Sequence, residues 1–146
     1  MATFNKVNDF VEDVAEKVHN LGSDQLVVAL SNTAPGSESS NPTSSGNGVL
    51  ANVTEISYTN CSSRNITTSS SAETSGTYKL TLADLVLTAS GGTVGAFRYV
   101  YVYNDTPTSP ADPLIAYYDN GSSVTLNDGD TFTIDFDGSG GFLTIA

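Results

Sequence analysis

The chain has 146 residues, and its 16 acidic and 5 basic side chains give a net charge of −11. This length predicts a single domain, residues 1–146, with room for one core. A chain this acidic repels phosphate backbones, which argues against a nucleic-acid partner. No apolar run approaches the ~20 residues that a membrane-spanning helix needs, so no membrane partner is expected either.

The first 21 residues carry the one helical pattern. Apolar residues recur at spacings of three and four, which is typical of an amphipathic helix with one apolar stripe. Thr3 is a candidate N-cap and Gly22 a candidate C′ residue, so the prediction is a helix over residues 3–21. Its stripe must pack on the domain's own sheet or dock on a neighbouring molecule. The candidate interface residues on this stripe are Phe4, Val7, Phe10 and Val11.

Short β-strands are predicted through the rest of the chain. Residues 25–31 form a short apolar run, and residues 32–48 form a long polar loop rich in Ser, Asn, Gly and Pro. Later segments alternate polar and apolar residues between turn signals, as half-buried strands do. The pattern predicts a mainly β chain: an antiparallel β-sandwich, jelly-roll-like, over residues 25–146 behind one N-terminal amphipathic helix. Its predicted strands include 78–82, 85–87, 97–103, 114–118, 124–126, 131–136 and 142–146.

Three tyrosines, Tyr99, Tyr101 and Tyr103, share one face of the strongest predicted strand. On an exposed face, such a row would offer contact surface to a protein or a glycan. The alternative is core packing, although Val100 and Val102 can fill that role on the opposite face. Both interpretations stay open at this point.

Side chains that commonly perform chemistry are scarce. Cys61 is the one cysteine and His19 the one histidine, too few for a disulfide within the chain or a Cys/His zinc site. No catalytic, cofactor-binding or metal-binding residue is therefore predicted, no cofactor is expected, and the protein is expected not to be an enzyme.

An Asp-x-Asp-x-Ser-Gly sequence begins at Asp135 and resembles the opening of an EF-hand loop. The twelfth position of such a loop requires a bidentate Glu, and here that position is Ala146. The alternation of the preceding residues also favours a strand. We therefore interpret this segment as a strand end followed by a turn.

Several segments resemble small virion structural proteins of tailed bacteriophages. The resemblance runs over most of the chain outside residues 36–48, and it is carried by 10–22, 26–35, 75–80, 89–92, 97–99, 103–106 and 126–132. It implies a structural protein of the particle, and its motifs are structural rather than catalytic.

Within that family, a small β-sandwich with an amphipathic arm best fits a capsid decoration, or cement, protein. Such a protein would stabilise the head by bridging capsomers, and its partners would be the major capsid protein and itself, as a dimer or trimer. The start of the chain has no signal-peptide pattern, so synthesis in the host cytoplasm and a location on the virion head surface are expected. The alternatives are a tail-associated or host-attachment module that binds glycan through the tyrosine row and, less favoured, a glycan hydrolase that uses two of the Asp residues.

Overall fold

The computed structural model describes residues 2–146 and is mainly β, with antiparallel sheets and one α-helix. The helix α1 spans Phe10–Ala15. The strands are β1 (Asn5–Lys6), β2 (Leu26–Ser31), β3 (Thr68–Thr74), β4 (Thr77–Leu82), β5 (Leu85–Thr88), β6 (Val94–Asn104), β7 (Leu114–Leu126), β8 (Thr131–Ile134) and β9 (Leu143–Ile145). The predicted antiparallel β-sandwich with an N-terminal helix is thus confirmed, and the jelly-roll connectivity stays a prediction.

The first layer is a four-stranded sheet in the order β1-β7-β6-β2. The long strands β6 and β7 pair antiparallel through Tyr101 opposite Tyr117, and β2 pairs with β6 through Ala29 opposite Tyr101. All six residues of β2 are buried, which explains why its sequence is a continuous apolar run rather than an alternation.

The second layer consists of two small sheets, β3-β4-β9 and β5-β8. Between the layers lies the larger apolar core, in which Val28, Val100 and Ile115 of the first layer meet Leu80 and Leu87 of the second. Burial of apolar surface between two sheets is the main stabilising contribution in a sandwich of this kind.

A long, mostly irregular segment covers the outer face of the first layer. We call residues 32–56 the loop layer, because backbone hydrogen bonds hold them on that face. Leu114 N donates to Gly48 O (2.8 Å), and Ile56 N donates to Leu30 O (3.0 Å). The predicted loop 32–48 is therefore one part of a layer that packs on the sheet.

The outer edge of β2 is covered by residues 55–66, through both backbone and side-chain groups. The Leu30 N–H donates to the Tyr58 hydroxyl (2.8 Å), and the Val28 N–H donates to the Arg64 carbonyl (3.0 Å). The Arg64 guanidinium in turn donates to the Val28 carbonyl and lies 3.6 Å from the centre of the Tyr58 ring. Pairing these groups removes the free hydrogen-bonding edge on which another strand could add.

The predicted helix over 3–21 is wrong in its extent. Asn5 and Lys6 pair with β7, and Val7 N donates to Ile115 O (3.0 Å), so these residues are extended. Pairing with a buried strand outweighs the weak helical preference of a short segment. At the other end the helix stops at Ala15, and Lys17 has a positive φ of 67°.

The prediction of two separate strands at 114–118 and 124–126 is also wrong, because both belong to β7, which runs on to Leu126. Gly121 takes a φ of 86°, and its N–H donates to the Asp119 carboxylate (2.8 Å). Pairing with β6 resumes beyond this point, with Val124 opposite Phe97. The turn-forming residues thus make an irregularity inside one strand.

Within residues 2–146, no helix combines the length and the apolar character required to cross a bilayer.

The Asp9 carboxylate fastens the loop layer to the N-terminal segment. Its two oxygens accept the N–H groups of Gly46 and Gly48, each at 2.8 Å. We expect Asp9→Ala to lower the free energy of unfolding by about 1–2 kcal/mol, because two backbone donors lose a charged acceptor. Urea unfolding measures the loss. Glu12→Ala on the exposed side of α1 is the matched control, and equal effects of the two variants would contradict this role.

Candidate functional site

The residues predicted on the N-terminal stripe belong mostly to the core. Val7 and Phe10 are buried, and Phe4 is half-buried with its ring edge-on to Phe142 (5.4 Å between centroids). Val11 is the exception, with 54% of its surface exposed. Of the two options for this stripe, packing on its own domain therefore describes all of these residues except Val11.

Of the two interpretations of the tyrosine row, the structure shows core packing, and the candidate interface residues Tyr99, Tyr101 and Tyr103 are not on the surface. Tyr99, Tyr101 and Tyr103 are 8%, 0% and 5% exposed, because the loop layer covers their face of β6. They form a second, smaller core in which their neighbours include Val27, Val53 and Leu114. Burial raises the pKa of Tyr101. A glycan or protein partner cannot reach these rings in this fold.

A cleft opens between the two layers instead. Its volume is about 550 Å³. Aromatic side chains from four separate segments line it, namely Phe4, Tyr118, Phe132 and Phe142, with Val100 also in the lining. Burial raises the pKa of Tyr118 to about 12, so its hydroxyl is protonated at neutral pH.

The rest of the cleft lining is polar and acidic, and it includes Asn120, Thr133, Asp135 and Asp137. The Asp137 carboxylate accepts the N–H groups of Gly140 (2.7 Å) and Ser139 (2.8 Å), which lowers its pKa. These bonds close the turn after β8 in the segment that resembles an EF-hand opening. Within residues 2–146, no group of three His, Cys, Asp or Glu side chains is arranged to hold a metal.

Aromatic walls beside carboxylate and amide groups suit a ligand with an apolar face and hydroxyl donors. The cleft could not be predicted from the sequence, because its lining residues come from the N-terminal segment, from β6 and β7, and from residues 132–142, which are distant from one another in sequence. The one available signal was the alternation around Phe132, which predicts a side chain that points inward.

The middle of the loop layer presents no charged side chain of its own, and Glu38 and Glu55 of the layer flank it. Residues 39–53 contain no Asp, Glu, Lys or Arg, and Ser45 and Ala51 are among those exposed. The segment is also well anchored, since the Glu38 carboxylate accepts from the Thr54 backbone N–H (2.8 Å) and hydroxyl (2.7 Å). In a chain of net charge −11, residues 39–53 are an ordered segment without a charged side chain of its own, and the Asp9 carboxylate beside it already accepts two of its N–H groups.

A buried polar cluster ties the N-terminal segment to the central sheet. The Asn104 side-chain amide donates to the Asp24 carboxylate (2.6 Å) and contacts His19 Nδ1 (3.1 Å). The His19 side chain is fully buried, and its Nε2 lies 3.9 Å from the Asp13 carboxylate without a hydrogen bond. Burial lowers the pKa of His19 to about 4, although the Asp24 charge opposes that shift.

Cys61 is partly buried, and burial raises the pKa of its thiol. The thiolate form, which is the nucleophile, is therefore disfavoured at neutral pH.

Comparisons with protein-family models, with curated proteins and with solved structures found no match to this chain.

The His19 environment predicts that stability depends on pH. The pKa is about 4 in the folded state and near 6.5 when His19 is solvated, so the unfolded state binds more protons between these values. Stability should therefore fall as the pH drops from 6.5 to 4, by on the order of 2 kcal/mol.

Urea unfolding at pH 7 and pH 4.5 tests this expectation. His19→Gln removes the titrating group, so its loss of stability over the same interval should be smaller than that of the wild type. Identical pH dependence in the two proteins would show that His19 is not the cause.

Proposed function

We propose that this protein is a structural component of a tailed-phage virion, a capsid decoration protein that binds the major capsid protein and stabilises the head. The observation that carries the proposal is the ordered surface of residues 39–53 in the loop layer, which have no charged side chain. The resemblance of the chain to small phage virion proteins supports the same role.

Burying charged side chains against a shell costs free energy. A buried carboxylate without a partner costs several kcal/mol, whereas hydroxyl and amide groups can exchange water for hydrogen bonds across an interface at little net cost. The loop layer offers Ser, Thr and Asn groups and a few apolar side chains over residues 39–53. It is therefore the surface of this acidic protein that is best suited to lie against a shell.

Rigidity supports the same assignment. A loop that becomes ordered on binding loses conformational entropy at that moment, about 1–2 kcal/mol per residue. The backbone hydrogen bonds that the Asp9 and Glu38 carboxylates accept already hold this segment in place. Binding across the joints between capsomers would then add contact area that must be lost before the shell ruptures.

Purified heads that lack the protein provide the test. The wild type should bind them and raise the temperature at which they rupture. Ser45→Asp should weaken binding about tenfold or more, because it introduces a charge into the proposed contact. Ser90→Asp, on an exposed turn after β5, adds the same charge elsewhere and should bind like the wild type. Failure of the wild type to bind heads, or equal binding by both variants, would contradict the proposal.

A second candidate function is host attachment through a saccharide, and the cleft between the layers favours it. Aromatic rings can stack on the apolar face of a sugar. The side-chain oxygens of Asp135, Asp137 and Asn120 can accept hydrogen bonds from its hydroxyl groups. The buried tyrosine row has no part in this version of the function.

NMR titration with host cell-surface polysaccharide tests the second candidate. Shifts should appear at the residues that line the cleft. Asp135→Asn should weaken binding several-fold, because a charged acceptor contributes about 1.5–3 kcal/mol per hydrogen bond. Asp105→Asn, exposed on a different loop, is the matched control. No shifts at the cleft would eliminate this candidate.

A further inference from the structure

The strand β3 leaves one long edge of the second layer without a partner. Its order in the sheet is β3-β4-β9, so only one side of β3 is paired. Six of its seven residues, Ser69 to Thr74, are exposed. Among residues 2–146, no backbone hydrogen bond joins this strand to a segment other than β4.

The other sheet edges are covered, short or irregular. Beyond β1 the outer side of β7 is unpaired as far as Leu126, but this stretch is interrupted by the irregularity at Gly121, and β5 and β8 have only four residues each. The β2 edge is covered by Tyr58 and Arg64, while β1 has two residues and β9 has three. Proteins usually protect exposed edges with Lys, Pro, short strands or covering segments. β3 has neither Lys nor Pro, and its one irregularity lies at its start, between Thr68 and Ser70. The five residues from Ser70 to Thr74 therefore form a regular edge without a strand partner. Gly22 lies beside the Ser71 side chain, where a Cβ at position 22 would come within 3.0 Å of Ser71 Oγ.

The hairpin turn determines which backbone groups point outward. Ser75 and Gly76 have positive φ angles of 52° and 84°, which is the type I′ geometry. Thr74 and Thr77 then exchange both hydrogen bonds across the hairpin, and the bonded pairs alternate from there. The residues whose N–H and C=O groups face away from β4 are accordingly Ser71 and Glu73.

A second copy of β3 is the strand that fits this edge. When two β3 strands run antiparallel with Ala72 opposite Ala72, the outward groups of Ser71 in each copy meet those of Glu73 in the other. All four outward N–H groups then find a carbonyl. Ser70 lies opposite Thr74 in this register, so the cross-strand neighbours are small or hydroxylic.

Charge also favours a contact at this point of the molecule. Residues 65–72 carry no charged side chain, and Glu73 is the one charged residue of the paired segment 70–74. The two Glu73 side chains lie diagonally across the pair, not directly opposite, and each accepts a hydrogen bond from Gly76 N of its own hairpin (2.5 Å).

We propose that two copies of this protein associate through β3, antiparallel about a two-fold axis at Ala72, and so join their β3-β4-β9 sheets into one six-stranded sheet. This inference does not depend on the virion role, and it uses a surface separate from the loop layer. It selects the dimer from the two oligomeric states that the sequence left open.

Cross-linking tests the register. In a Cys61→Ser background, Ala72→Cys should form a disulfide-linked dimer on oxidation, because directly opposite residues of a non-hydrogen-bonded pair lie about 4.5 Å apart at Cα. Ser70→Cys, on the same face, should not cross-link, because its two copies would be separated by about four residue positions, or roughly 13 Å. Cross-linking of Ser70→Cys in preference to Ala72→Cys would overturn the proposal.

A charge substitution tests the interface independently. Ala72→Glu brings two carboxylates directly opposite each other in the dimer, whereas within its own hairpin it faces Lys79, a favourable partner. Sedimentation over a concentration series should show a dimer for the wild type and for Ser90→Glu, and a monomer for Ala72→Glu. Unfolding by urea checks that the variant is as stable as the wild type. A monomeric or trimeric wild type, or a folded Ala72→Glu that remains a dimer, would overturn the proposal.

Discussion

Burial of both faces of strand β6 is the constraint on which the rest of the structure depends. Val100 and Val102 pack into the core between the two sheet layers, while Tyr99, Tyr101 and Tyr103 pack under the loop layer. A strand buried on both faces requires a cover on each side. The second sheet layer provides one cover, and the loop layer provides the other.

The backbone groups of this buried sheet also require partners, because an unpaired buried N–H or C=O is costly. Charged side chains supply some of these hydrogen-bond partners, both in the sheet and in the loop layer that covers it. Arg64 satisfies the Val28 carbonyl, Asp9 holds two glycine N–H groups of the loop layer, and Glu38 holds Thr54. Charged residues used in this way stabilise a fold by fixing loops to the sheet.

The surfaces that remain have distinct properties. The loop layer is firmly anchored and carries no charged side chain over residues 39–53. The β3 edge is regular and unpaired, and the cleft combines aromatic walls with carboxylates. The proposed contacts with a shell and with a second copy use the first two of these surfaces, which belong to different layers. A particle-bound protein could engage both at once, since neither contact requires the other surface to move.

The sequence by itself determined that the chain is mainly β and where several strands lie. The continuous apolar run at 25–31 became β2 and the aromatic run at 97–103 became the middle of β6, because local composition is a strong signal for buried strands. The same reasoning failed at the N-terminus, where Asn5 and Lys6 pair with β7 and only Phe10–Ala15 is helical. It could not decide whether the tyrosine row is exposed, since alternation separates two faces without showing what covers each. The tertiary structure decided the burial of the tyrosine row, the covered β2 edge, the unpaired β3 edge and the cleft. Each of these depends on segments that are distant in sequence and meet only in the folded chain.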